Sequence, residues 1–227
     1  MSTAATAAPA SPNAPAPPCS EQQKTATGTT TTESSSLKDV AAATTTAAAA
    51  EEETTKPKLP PLTPAEFRIY NHMAEHMELF HNHFRATWNL LWTACTTGRR
   101  PAGMSLKAFV NEGLQFLRHL EVHHNIEETH IFPVLARKMP EFKAGKGNGA
   151  AELLRQHRQI HKGMDGLEEY LRDVQAGRQE FDLGRLKERM EGWAEVLWTH
   201  LDQEVKTLGA ENMRLYWSES EMRRMPM

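Results

Sequence analysis

HRQIH, at residues 157–161, is the segment of the chain that decides the fold. His157 and His161 are four positions apart, and an α-helix stacks side chains with this spacing on one face. The same spacing recurs in two other segments, between His123 and Glu127 and between His200 and Glu204. Because such pairs on neighbouring helices can hold metal ions inside a bundle, the pattern predicts both helices and a metal site.

Four long segments with helical periodicity contain or accompany these pairs. They cover about 64–96, 105–140, 150–176 and 182–208. Thr63, Ser105 and Asp182 are suitable N-caps, and Pro133 is expected to kink the second helix. Long amphipathic helices with short connections predict an all-α fold, an up-down-up-down four-helix bundle. The residues after Gly209 are expected to add a short helix.

Candidate metal ligands on the four helices lie at matching depth. In such a bundle the first and third turns lie at one end, so the depth of a residue follows from its distance in sequence to Gly98, Ser105, Gly177 or Asp182. At about 1.5 Å per residue, the candidates fall within roughly two helical turns of one another. Without a metal, so many buried imidazoles and carboxylates would leave unsatisfied polar groups. The candidates are His76, His123, Glu127, His157, His161, His200 and Glu204.

Rotation about the helix axis distinguishes the candidates on two of the helices. At roughly 100° per residue, His76 points opposite the polar stripe of the first helix. His81, about a quarter turn away, is the alternative there. On the second helix, His124 and Glu128 fit the apolar stripe slightly better by angle than the pair one position earlier. Periodicity alone leaves both registers open.

The first part of the chain has the composition of a disordered segment. Residues 1–60 contain almost only Ala, Thr, Ser, Pro and Glu, and the first aromatic residue is Phe67. Such a segment cannot bury enough apolar area to offset its ordering entropy. We therefore predict a disordered low-complexity tail over 1–60 and one domain over 61–227.

Charge and hydropathy exclude several classes of function. The net charge is -3, no basic run is present, and no 18-residue apolar run occurs. Nucleic acid is therefore not an expected partner, and no segment is expected to span a membrane. Two cysteines make a disulfide framework improbable, so the expected location is the cytoplasm, with the nucleus as the alternative.

The type of ligand indicates the metal. A site rich in imidazole and free of thiolate suits iron, with manganese or zinc as poorer matches. Carboxylate-rich di-iron sites in helical bundles use four glutamates and two histidines, whereas the candidate ligands here are five histidines and two glutamates. Five neutral imidazoles leave less negative charge on a metal pair, which favours a reduced state able to bind O2 reversibly.

Four segments together resemble the hemerythrin-like (HHE cation-binding) domain family. They are EHMELF at 75–80, HHNIEETHIFP at 123–133, HRQIH at 157–161 and HLDQE at 200–204. The resemblance covers about residues 64–208. Counted back from Phe132 and Pro133, the family pattern assigns the second-helix ligands to His123 and Glu127. Hemerythrins proper differ in placing an aspartate one position after Glu204.

The resemblance implies a non-haem centre of two iron ions that an oxygen atom can bridge. Family members bind iron and carry, store or sense O2, so the expected partner is O2 or another small diatomic ligand. The alternative hypothesis is a di-iron redox enzyme, either an oxidase or an enzyme that consumes peroxide or nitric oxide. The sequence offers no clear general acid or electron donor, and we interpret Tyr70 and Tyr170 as packing residues. No catalytic residue is assigned, and binding is favoured over catalysis.

Overall fold

The computed structural model describes residues 59–143 and 152–226, and every regular element within these ranges is helical. The described residues belong to one compact unit, Pro57–Met227. The all-α prediction is therefore confirmed. The predicted tail, apart from residues 59 and 60, lies outside the described residues, as does most of the connection between the second and third predicted helices.

Helix α1 spans Pro64–Thr97 and begins and ends where local chemistry requires it. The Thr63 side chain accepts from the Glu66 amide, and the Glu66 carboxylate accepts from the Thr63 amide, which completes a capping box. At the other end, Gly98 adopts the left-handed region at φ 68°, a conformation that glycine reaches without steric cost.

Helix α2 spans Leu106–Ile126 and continues into a π-helical turn at Glu127–Ile131 and then α3 at Phe132–Leu135. The sequence predicts a kink here, and the structure shows a widened turn at this position. Because Pro133 has no amide hydrogen and its ring crowds the carbonyl four residues earlier, the regular α-helical pattern cannot run through it. The Phe132 amide bonds to the Glu127 carbonyl, five residues back, which places Glu127 at the start of this turn.

Helices α4 (Glu152–Gln175) and α5 (Leu183–Thr207) form the second antiparallel pair. Asp182 caps α5 by accepting from the Arg185 amide. The Tyr170 hydroxyl donates to the Asp182 carbonyl and accepts from the Asp182 amide, both at 2.8 Å. These two bonds stabilise the turn between α4 and α5. After α5 come two one-turn helices, α6 at Ala210–Met213 and α7 at Glu219–Met222.

The four long helices form a ring in which α1 packs on α2 and α5, and α4 packs on α2 and α5. The interior has three regions along the bundle axis. An apolar cluster lies at the end nearest the α1–α2 and α4–α5 turns, buried polar residues lie in the middle, and a second apolar cluster lies at the opposite end. Helices α3, α6 and α7 contribute to that second cluster. The predicted four-helix bundle is thus confirmed. Among the described residues, no helix has the length and apolar character needed to cross a membrane.

Candidate metal centre

Seven polar side chains meet in the middle of the bundle, and none is more than 9% exposed. Helices α1, α2, α4 and α5 and the π-helical turn all contribute. Such residue types are rarely buried unless they are paired or bind a metal. The seven are His81, His123, His124, Glu127, His157, His200 and Glu204.

These side chains form two groups, and within each group the candidate ligand atoms all lie within 4.8 Å of one another. The first group contains His81, His123, Glu127 and Glu204, and the second contains His124, Glu127, His157 and His200. Glu127 belongs to both groups. A carboxylate shared by two ligand sets has the position of a bridge between two cations.

The carboxylate oxygens face both groups. Glu127 Oε1 lies 2.8 Å from His123 Nε2, while Glu127 Oε2 lies 3.4 Å from His157 Nε2. Glu204 Oε2 lies 3.4 Å from both His81 Nε2 and His200 Nε2, which belong to different groups. Both glutamates therefore contact imidazoles of the two groups at once.

Most of the inward-facing atoms have no hydrogen-bond partner among the described residues. They are Nε2 of His81, His123 and His124 and both carboxylate oxygens of Glu127 and Glu204. Even the 2.8 Å approach of His123 and Glu127 lacks the orientation of a hydrogen bond. Leaving such atoms buried and unpaired costs free energy for each one. A cation between them would satisfy them all, so the residues fit a metal.

The protonation states also suit a metal. Burial lowers the pKa of His123 to about 4 and of His200 to about 3, and it lowers the pKa of His124 and His157 as well. These imidazoles are therefore neutral at pH 7 and keep a lone pair for a cation.

The two buried carboxyl groups behave differently. Burial raises the pKa of Glu127 well above its usual range, and the nearby carboxylates of Glu204 and Glu128 raise it further. Burial also acts to raise the pKa of Glu204, but the contact with His81 and the neighbouring His200 outweigh it and lower the pKa to about 2. Two carboxyl groups this close cannot both be charged at low cost without a cation between them.

Three imidazoles are held from outside through their other nitrogen. Nδ1 of His81 lies 3.0 Å from the Leu201 carbonyl, Nδ1 of His157 lies 2.8 Å from Glu128 Oε1, and Nδ1 of His200 lies 3.2 Å from Gln156 Oε1. Each acceptor fixes the proton on Nδ1 and leaves the Nε2 lone pair directed inward. Outer contacts of this kind orient metal-binding histidines.

The Gln156 amide has a defined orientation. Its Nε2 donates to Gln203 Oε1 at 2.8 Å and to Glu152 Oε1 at 3.1 Å, so its oxygen faces His200. Gln156 is only 2% exposed. Sequence reasoning missed this residue, since a single glutamine on a helix has no spacing that marks it.

Five of the seven ligands predicted from the sequence come together in the cluster, and two do not. His123, Glu127, His157, His200 and Glu204 are in it. His161 is half-buried at its edge, with Nε2 3.3 Å from His124 Nδ1. His76 is exposed and its ring packs on His72, so the structure does not bring it to the cluster.

His81 occupies the place that the sequence prediction gave to His76. The buried residues of α1 follow 3- and 4-residue steps, and His81 continues them between Met77 and Phe84. The prediction placed the inner face opposite the polar stripe, whereas Met77 and Trp88 are buried on the His81 side of that line. The spacing of Met77, His81 and Phe84 was the signal available.

The second helix combines the two registers that periodicity left open. His123 and His124 are both buried, and Glu127 lies inside the cluster. Glu128 is exposed over 42% of its side chain and touches the cluster only from outside, through His157. The widened turn starts at Glu127, three residues after His124.

Comparison with known proteins gives one family. The family model described as hemerythrin HHE cation binding domain matches residues 72–210, which includes every residue of the cluster. No curated protein and no solved structure matches the chain.

Proposed function

Since the chain belongs to the hemerythrin HHE cation-binding family, we propose that it is an iron-binding protein whose centre holds two iron ions and binds O2. The carriage, storage or sensing of O2 would follow from that binding. The observation that carries the proposal is the shared carboxylate: Glu127 belongs to two groups of buried ligands and presents one oxygen to each.

The residues divide naturally between two ions. His81 and His123 would hold the first ion, and His157 and His200 would hold the second. Glu127 would bridge them, and Glu204, with one oxygen 3.4 Å from an imidazole of each group, would be a second bridge. Imidazole and carboxylate ligands without a thiolate suit iron.

The surrounding protein supports reversible binding of a small molecule. Each of the four ligand histidines just named is at most 9% exposed, as are both glutamates, so bulk water is largely excluded. The imidazoles are neutral, which limits the negative charge around the ions to the two glutamates. When bound, the iron pair would supply the electrons and the open coordination position that O2 needs.

The test is the iron content of the full-length chain together with its ultraviolet-visible spectrum. Anaerobic loading with Fe(II) is expected to give two iron ions per chain. Exposure to O2 is expected to give a coloured species that reverts when the oxygen is removed under vacuum. A chain that retains no stoichiometric iron would contradict the proposal at its first step.

The same experiment distinguishes binding from catalysis. If the loaded protein oxidises at once and irreversibly, and an added reductant or peroxide is consumed, the di-iron centre is a redox enzyme instead. Two irons with reversible colour favour carriage, storage or sensing. Metal content and reversibility are therefore measured on one sample.

A further inference from the structure

The cluster contains an imidazole, that of His124, which the resemblance does not assign as a ligand. His124 is 0% exposed, and its ring stacks on that of His157 at a centroid distance of 3.9 Å and an interplanar angle of 16°. Its Nε2 is buried without a hydrogen-bond partner. Its ligand atom lies within 4.8 Å of those of Glu127, His157 and His200. By position and by its unsatisfied atom, His124 resembles the ligands around it.

His161 has a different setting. It is half-buried and belongs to neither group of converging ligand atoms. Its Nε2 lies 3.3 Å from Nδ1 of His124 and its ring is T-shaped to that ring, with centroids 5.1 Å apart. His161 therefore contacts His124 from the outer side of the cluster.

This contact repeats the pattern of the three other held imidazoles. His81, His157 and His200 each have an outer acceptor at Nδ1 and an inward Nε2. If His161 Nε2 accepts from the Nδ1–H of His124, the proton of His161 lies on its own Nδ1. His124 then has its lone pair on Nε2, facing the second group.

We propose that His124 binds the second ion through Nε2, together with Glu127, His157 and His200, and that His161 is a positioning residue that orients His124. This inference rests on the proposed function, because it needs two ions. The family pattern assigns His161 as the third histidine ligand of the second ion, and the inference replaces it with His124 on the second helix.

The test compares two substitutions in the full-length chain, loaded anaerobically with Fe(II) and freed of excess metal. His124→Phe keeps a ring but removes the lone pair, and iron is expected to fall from about two to about one per chain. His161→Gln places an amide oxygen at nearly the reach of Nε2. It is expected to keep about two irons and to release one of them to a chelator roughly tenfold faster.

Exposed His76 provides the matched control, and His76→Phe and His76→Gln are both expected to keep two irons with the wild-type release rate. The helical circular dichroism of each metal-free variant reports folding. If His124→Phe does not fold, His124→Leu tests the same loss of a lone pair in a smaller side chain.

Three outcomes would overturn the inference. Loss of one ion in His161→Gln with two retained in His124→Phe would make His161 the ligand. Loss of one ion in both variants would make both residues ligands. Retention of two ions at the wild-type release rate in both would remove His124 from the site. If wild-type protein itself holds no iron pair, the proposed function fails, and that result is distinct from all three.

Discussion

The half of the bundle nearest the α1–α2 and α4–α5 turns is packed with apolar side chains, whereas the adjoining stretch of the same helices buries histidines and glutamates. In the apolar half, Trp88 and Trp193 meet edge to face at 4.8 Å. The helix α4 backbone at Gly163 approaches so closely that an added Cβ would lie 2.2 Å from Trp193 Cγ. In the polar stretch, by contrast, seven buried oxygen and nitrogen atoms have no hydrogen-bond partner among the described residues.

Each long helix therefore has one stretch that stabilises the fold and an adjoining stretch that carries the candidate metal ligands. Burial of apolar area stabilises the fold whether or not a metal is present. The polar stretch costs free energy until a cation satisfies its ligands. Because the helices run unbroken from one region into the other, the apolar half holds the imidazoles in position before metal binds.

The largest expected effect comes from breaking the apolar half. Trp193→Ala removes a side chain that is 3% exposed and packs on Trp88 and Phe116. The free energy of unfolding of the metal-free protein is expected to fall by about 3–5 kcal/mol, measured by urea denaturation. Trp198→Ala, at a half-buried position, is the control and should cost less. A loss below about 1 kcal/mol at Trp193 would show that this half does not support the fold.

The next largest effect comes from a substitution in the polar stretch, which is expected to lower iron content but raise the Tm of the metal-free protein. Glu127→Gln removes the shared carboxylate, so iron content is expected to fall from about two to below one per chain. The metal-free variant is expected to have a higher Tm than metal-free wild type. The sign follows from linkage: burial raises the folded-state pKa of Glu127, so this group favours the unfolded state at pH values above its unfolded pKa, including pH 7.

The neighbouring residue supplies the matched control. Glu128→Gln keeps an oxygen that can accept from His157 Nδ1 and lies outside the cluster, so iron content and Tm should change little. Two irons retained in Glu127→Gln would contradict the bridging role. An unchanged or lower Tm in the metal-free variant would contradict the cost assigned to this carboxyl group.

The elements of the fold could be predicted because their signals are local. Thr63, Ser105 and Asp182 cap helices where the sequence indicated, and Gly98 and Gly177 end them in the left-handed region. The widened turn at Glu127 was not predicted, since proline chemistry requires a break without specifying its form. That form depends on the packing of residues far apart in the sequence.

The depth of the site could be predicted better than its rotation. Rise per residue is nearly constant, and the structure brings candidate ligands from all four long helices together at one depth. Rotation was misjudged on α1, where the inner face was placed opposite the polar stripe and His76 was preferred to the buried His81. Helix α1 packs on both α2 and α5, so its buried arc is wide, and the polar stripe alone does not fix the centre of that arc.

Acidification is expected to lower the free energy of unfolding of the metal-free protein, because the polar stretch buries neutral histidines. Burial lowers the folded-state pKa of His123 to about 4 and of His200 to about 3, below the unfolded value of roughly 6.5. Between those values the unfolded chain binds more protons, so stability is present above about pH 6.5 and is lost as pH falls. From pH 7 to pH 5 the free energy of unfolding is expected to decrease by about 2 kcal/mol for each of these histidines.

Urea denaturation of the metal-free protein at pH 7, 6 and 5 measures this loss. His200→Gln should make the pH dependence shallower by removing one of the buried imidazoles whose pKa is lowered. Glu127 opposes this effect, because its raised pKa makes the folded state take up a proton as pH falls, so the decisive measurement uses metal-free Glu127→Gln. A free energy of unfolding that stays constant over this interval in Glu127→Gln would mean that the buried imidazoles are not held neutral by burial. The polar stretch would then not differ from the apolar half in its response to pH.

The smallest expected effect comes from Gln156, whose side chain contacts His200 from outside the cluster. Gln156→Leu keeps the side-chain volume but removes the oxygen that accepts from His200 Nδ1. Iron affinity is expected to weaken about tenfold, measured by chelator competition, because His200 loses its orientation and its preferred tautomer. Gln156→Glu restores an acceptor and should recover most of the affinity, which a purely packing role would not explain. Gln159→Leu, at an exposed position one turn further along α4, is the matched control. Equal affinities in Gln156→Leu and wild type would mean that the ligands are placed by the apolar half alone, without help from the polar contacts around them.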